Sequence, residues 1–335
     1  MNMTRKKFEN LQGCARPSGV IAALAMDQRG SLRKMLSGAE GHTISDEQMS
    51  EFKTVVTETL TPYASAVLLD PEFGGAASRR RAGGVGLLAS YERSGYDNTQ
   101  PGRLPDLEPL WSVRRLDEFG ATAVKLLVYY NPFEGDAIND VKHAFVERVG
   151  AECGAVGLPL FLEPVTYDDN LKDAAAFGEK QPEYVKATVA EFSKARYGVD
   201  ILKVELAVSG NFVSGLSHEP KKAIFSRDEA AKHLQEAGSL AERPFIYLSA
   251  GVDMKVFAEM LELAGERGVP YSGVLCGRAT WKSGVSVYAE SGKDALAAHL
   301  REHGVANIEM LNKVVERYGR PWHERYGGPE GLELV

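Results

Sequence analysis

The stretch VDILKVELAV, Val199 to Val208, decides how the chain is read. Its apolar and β-branched residues suit a strand buried on both faces. Yet it carries Lys203 and Glu205, and strand alternation places Ile201, Lys203 and Glu205 on one face. A buried ammonium is kept only where it is paired or where its strained protonation is useful.

Working outward, seven further runs have the same character: VIAALAMD (20–27), SAVLLDP (65–71), GVGLLAS (84–90), TAVKLLVYY (122–130), PLFLEPVTYD (159–168), PFIYLSAG (244–251) and YSGVLCGRA (271–279). With ILKVELAV (201–208) they make eight candidate strands. Amphipathic segments separate most of them. SDEQMSEFKTVVTETLTPY opens on Ser45, a residue suited to cap a helix, with Glu47 and Gln48 in the first turn. DMKVFAEMLELAGERG puts Val256, Met260 and Leu263 on one face, and Gly268 stands where a helix should end. Strands alternating with helices predict an α/β fold, a (β/α)8 TIM barrel in one domain over residues 1–335, in preference to a doubly wound sheet. The joint between the second and third strands is short, rich in Gly and Arg, and lacks a full helical pattern. The tail beyond about residue 305 begins as a helix and dissolves into Gly, Pro and charge. Residues from about 320 to 335 are expected to be flexible or to seat on a partner.

The composition narrows function. A net charge of −7 and no basic clustering argue against nucleic acid as a partner. Three cysteines, Cys14, Cys153 and Cys276, lack the spacing of a disulfide framework or a zinc site. The N-terminal MNMTRKKFENLQG has no apolar run behind it, and no window is long and apolar enough for a membrane span. A cytoplasmic protein acting on a small molecule is expected.

Catalytic groups of such barrels come from the C-terminal ends of strands. Here those ends carry Asp27-Gln28-Arg29, Asp70-Pro71-Glu72, Lys125, Glu163, Lys203 with Glu205, Ser249-Ala250-Gly251 and Gly277-Arg278. If the polar face is the lumen, Lys125, Glu163 and Lys203 converge from adjacent strands. A structural network of ion pairs, with Lys203 satisfied by Glu163 or Glu205, is one reading. It contributes little stability over apolar residues of equal volume. Chemistry explains the residues better: desolvation and a neighbouring cation lower a lysine's pKa until its neutral amine can attack a ketone. Lys203 is then the nucleophile, Lys125 the cation beside it and Glu163 the carboxyl that moves protons.

The loops LSAGV (248–252) and CGRATW (276–281) follow strands seven and eight, where barrels commonly bind phosphate. Small residues there let an anion approach the backbone, and Arg278 supplies a fork of donors. Asp27 reads equally as a helix cap or as a catalytic group, and Asp-Gln-Arg could hold substrate hydroxyls or a second anion. Ser78 to Arg81 reads as a solvated loop that could also help capture anions. The seven histidines, His42, His143, His218, His233, His299, His303 and His323, all fall outside strand ends, so no metal is expected.

Taken together, IAALAMDQRG, LTPYASAVLLDPEFG, GRLPDLEPLWSVRRL, AVKLLVYYN, FLEPVTYDDN, ILKVE, IYLSAGV and GVLCGRATW resemble the class I tagatose 1,6-bisphosphate aldolases, from about residue 8 to about residue 318. The resemblance implies an aldehyde-lyase that splits a ketohexose 1,6-bisphosphate through an imine into dihydroxyacetone phosphate and glyceraldehyde 3-phosphate. It also implies no cofactor and a homo-oligomer. By motif match Lys203 is the Schiff-base lysine, Glu163 the acid/base, Lys125 and Asp27 lie beside them, and Gln28, Arg29 and Glu205 line the substrate site. Ser249, Gly251, Gly277 and Arg278 then form the phosphate grip. The segment VSGNFVSGLSHEPKKAIFSRDE and the tail match less well. The related sulfofructose phosphate aldolases share the DQR, KVE and GRA-W features, so phosphate or sulfonate at the far end, and the C4 epimer, stay open. A sugar-phosphate sensor without turnover and a phosphosugar isomerase with a carboxylate base are the alternatives from other classes.

Overall fold

The computed structural model describes residues 2–38 and 41–335. Eight parallel strands close into a barrel in sequence order: β1 (Ile21–Met26), β2 (Ala66–Leu69), β3 (Gly86–Ser90), β4 (Ala123–Tyr130), β5 (Leu160–Thr166), β6 (Ile201–Val204), β7 (Phe245–Tyr247) and β8 (Gly273–Cys276). All eight expected strands are present, mostly with trimmed ends. β6 keeps only ILKV of the expected ILKVELAV. Closure comes from β1 pairing with β8, Ile21 opposite Gly273. Glycine is required there, because its φ is +141° and an added Cβ would lie 1.8 Å from the Ile21 carbonyl oxygen.

The helices form for the local reasons read in the sequence. Asp46–Leu60 starts on a capping box, in which the Ser45 hydroxyl accepts from the Gln48 amide and the Gln48 side chain accepts from the Ser45 amide. Met254–Glu266 buries Val256, Met260 and Leu263 against the barrel, and Gly268, at φ +73°, turns the chain after it. The doubtful joint between β2 and β3 holds a six-residue helix, Gly75–Arg80. No helix among the described residues is long and apolar enough to cross a membrane.

Inside the barrel the apolar floor is built from Ile21, Ala23, Ala25, Ala66, Leu68, Leu88, Ala123, Phe161, Ile201, Ile246 and Leu275. The tail packs on this floor through Trp322, Tyr326 and Leu332. Trp322 is wholly buried and donates its indole N–H to Gln12 at 3.1 Å. The Tyr326 hydroxyl reaches the Asp200 carbonyl at 2.7 Å, and Glu333–Leu334 pairs in parallel with Asn2–Met3. A short core at the strands' N-terminal ends would otherwise be open to water, and the tail's aromatic rings cover it.

Candidate active site

Two residues above the floor the lumen turns polar. Strand alternation carries Ala123 to Lys125 on β4, Phe161 to Glu163 on β5 and Ile201 to Lys203 on β6, all on the inward face. Lys125 and Lys203 are only 1% and 4% exposed. Glu163 lies between them: one carboxylate oxygen is 2.8 Å from the Lys203 Nζ and the other 2.9 Å from the Lys125 Nζ. Lys125 also meets Asp27 at 2.9 Å and Glu92 at 2.7 Å. The second oxygen of Glu92 accepts from the Leu127 amide at 3.1 Å.

These contacts set the charges. Burial alone would lower the Lys125 ammonium, but Asp27, Glu163 and Glu92 override it and hold its pKa well above the ordinary value. Burial would likewise raise Glu163 and Asp27, yet Lys125 and then Lys203 keep both carboxyls below the usual range. Glu205 goes the other way. Burial raises its pKa against two hydrogen bonds, from the Thr166 amide at 2.8 Å and hydroxyl at 2.6 Å. Two buried carboxyls of opposite tendency, Glu163 and Glu205, therefore face one cavity of about 440 Å³.

The cavity opens at the C-terminal ends of the strands and brings together Asp27, Gln28, Arg29, Lys125, Glu163, Lys203, Glu205, Ala250 and Arg278. Ser249, Gly251 and Gly277 shape the loops behind Ala250 and Arg278 without lining it. Gly251 has φ +80°, and an added Cβ would meet the Arg278 guanidinium at 3.3 Å, so the β7 and β8 loops interlock. Gln28 points a buried carbonyl oxygen with no hydrogen-bond partner.

Several readings are sharpened or corrected by this geometry. Asp27 does not cap a helix; Gly30–Ser37 starts without a side-chain cap and Asp27 holds Lys125. Lys203 pairs with Glu163, whereas Glu205 is engaged by Thr166. Arg29 spends its fork on the Glu108 carboxylate and, at 2.7 Å, the Glu92 carbonyl. Asp70 forms a fully buried ion pair with Lys53 rather than entering the cavity. Arg79 and Arg81 line a depression with Gly13, Gly86 and Thr122 at the N-terminal ends of the strands, far from the mouth.

A family profile described as DeoC/LacD family aldolase matches residues 21–283. The chain belongs to this family. The aldolase is 48% identical to a tagatose 1,6-diphosphate aldolase of Listeria monocytogenes serotype 4a (strain HCC23), over 100% of this chain and 99% of that one. It is 44% identical to the tagatose 1,6-diphosphate aldolase 2 of Enterococcus faecalis (strain ATCC 700802 / V583), covering 99% of this chain and 100% of the relative. In fold it is similar to the fructose-bisphosphate aldolase of Plasmodium falciparum, solved with TRAP and a small-molecule inhibitor. The TM-score is 0.67 at 13% identity, over 96% of this chain and 98% of that one.

Three residues in or beneath the cavity wall were assigned no role by the sequence reading. Glu92 continues the inward series Leu88, Ser90, Glu92 two residues beyond β3, so alternation alone could have found it. Lys53 sits mid-helix and is wholly buried; it donates to the Met26 and Gln28 carbonyls at 2.8 Å each, bracketing Asp27. Arg103 lies in the long loop after β3 and carried no local signal.

Proposed function

We propose that this chain cleaves D-tagatose 1,6-bisphosphate to dihydroxyacetone phosphate and D-glyceraldehyde 3-phosphate through an imine on Lys203. The observation that carries the reading is one buried carboxylate, Glu163, shared by two lysines at the bottom of the cavity. The full-length relatives named tagatose 1,6-diphosphate aldolases support the choice of substrate.

Glu163 takes a proton from Lys203, and the neutral amine adds to the C2 ketone to give a carbinolamine. The same carboxyl returns its proton to the departing hydroxyl, water leaves, and a protonated imine remains. Glu163, again ionised, removes the C4 hydroxyl proton. The C3–C4 bonding pair then flows into the imine, releasing the aldehyde and leaving an enamine. Protonation at C3 restores the imine, and water added at C2 frees dihydroxyacetone phosphate and the amine. Throughout, Lys125 stabilises the ionised form of Glu163 while Asp27 and Glu92 hold Lys125 in place. The loops at Ala250, Gly251 and Arg278 are placed to grip the C1 phosphate beside this chemistry.

Borohydride with dihydroxyacetone phosphate is the test. Reduction should leave a glyceryl phosphate adduct on Lys203, located by peptide mass spectrometry, and Lys203→Met should neither be trapped nor turn over. A sensor or a carboxylate-base isomerase yields no adduct, and either result sinks the proposal. Coupled assays on tagatose and fructose 1,6-bisphosphates and on the sulfonated analogue then read epimer and end-group preference as ratios of kcat/KM.

A further inference from the structure

The cavity has a second cationic end to which neither the sequence reading nor the mechanism assigns a role. Arg278 follows β8 and leans on the Gly251 turn after β7. Across the ring, Arg103 sits over the ends of β4 and β5. Its guanidinium carbon lies 4.2 Å from the ring centre of Tyr167, 5.1 Å from Tyr96 and 5.6 Å from Tyr129. Asp169 accepts from one terminal nitrogen at 2.6 Å, while the buried Nε has no hydrogen-bond partner. In ring order Lys203, on β6, stands between the two ends.

The backbone marks the same two places. Among the described residues only Arg103 (φ +46°) and Ala250 (φ +48°) have positive φ without being glycine, and both line the cavity. A residue with a Cβ adopts that conformation only where surrounding structure imposes it, and such positions gather at ligand sites. Other arginines on the cavity wall are worse placed. Arg29 is committed to Glu108 and the Glu92 carbonyl, and Arg93 is 65% exposed beside Asp106 at 3.6 Å.

We propose that Arg103, held by its three tyrosines and by Asp169, grips the C6 phosphate of the sugar whose C2 is bound at Lys203, and so sets the enzyme's demand for a second phosphate. This rests on the bisphosphate-cleaving reading above. The aromatic ring stack immobilises a long side chain before the ligand arrives, so little rotamer freedom is lost on binding. The guanidinium is 24% exposed on the cavity wall and donates to Asp169 through only one terminal nitrogen, which leaves terminal N–H groups for a phosphate oxygen.

The test compares tagatose 1,6-bisphosphate with tagatose 1-phosphate, which lacks the group that Arg103 would hold. Arg103→Gln and Arg103→Lys should lose about 10- to 100-fold in kcat/KM on the bisphosphate, the range for a hydrogen bond to a charged group. On the monophosphate they should stay within about twofold of the parent, because the C1–C3 half is untouched. Borohydride trapping with dihydroxyacetone phosphate should proceed at the parent rate. Equal losses on both substrates make Arg103 a structural residue and overturn the assignment, as does an undiminished preference for the bisphosphate. If the parent enzyme itself is not trapped, the imine reading fails instead, so the two failures are separable.

Discussion

Replacing Lys125 by methionine tests the electrostatic logic of the site. The ammonium touches Asp27, Glu92 and Glu163 at 2.9, 2.7 and 2.9 Å. Asp27, Glu92 and Glu163 share Lys125 and Lys203; without Lys125 the three carboxyl groups share one lysine. A buried pocket relieves that excess most cheaply by binding a proton. Keeping a carboxyl of ordinary pKa near 4.3 protonated at pH 7 costs about 1.36 × 2.7, or 3.7 kcal/mol, and at pH 5 about 1 kcal/mol. The variant should therefore be less stable by about 4 kcal/mol at pH 7, in line with other broken buried pairs.

The pH dependence carries the sign. In the parent, Asp27 and Glu163 titrate below their unfolded values, so their stabilisation is complete above the ordinary carboxylate range and fades only as pH falls through the folded values. In the variant one carboxyl titrates above its unfolded value, and the folded state loses ground as pH rises. Urea unfolding of both proteins at pH 5, 6 and 7 should show the gap widening by about 1.4 kcal/mol per pH unit. A gap that does not change with pH would refute the claim that Lys125 is there to neutralise carboxylates. Turnover of the variant should fall alongside, since Glu163 loses one of the two lysines that stabilise its ionised form and keeps only Lys203.

Other outcomes follow from named contacts. Glu163→Gln removes the proton carrier but keeps the side chain's shape. kcat should fall by about 10²- to 10⁴-fold in the coupled cleavage assay, with imine trapping slowed in step. Lys53→Met leaves Asp70 buried without its cation and frees the Met26 and Gln28 carbonyls, at a cost of about 3–5 kcal/mol in urea unfolding. The double variant Lys53→Met, Asp70→Leu should recover part of that stability but not the activity, because the Asp27 loop stays unclamped. Trp322→Ala opens the barrel floor and should cost about 3–5 kcal/mol while leaving KM unchanged, because the residue sits at the opposite end from the cavity.

The barrel was legible because its information is local. Each strand announces itself by a short run of apolar and β-branched residues, and helices such as Asp46–Leu60 and Met254–Glu266 by their caps or periodicity, so the order of elements could be read without knowing where any of them packs. The same holds for Lys125, Glu163 and Lys203: two-residue alternation within each strand is enough to put all three on the inward face. Tertiary structure alone decided how these charges are shared. Whether Lys203 pairs with Glu163 or Glu205, whether Asp27 caps a helix or holds Lys125, and whether Arg29 is free depend on distances between segments tens to hundreds of residues apart. Lys53, Arg103 and the tail's Trp322 look in sequence like an ordinary helix lysine, a loop arginine and a loose end. Each acquires its role only when a distant strand, a trio of tyrosines or an open barrel floor is brought against it, and pairing across such separations leaves no local pattern to read.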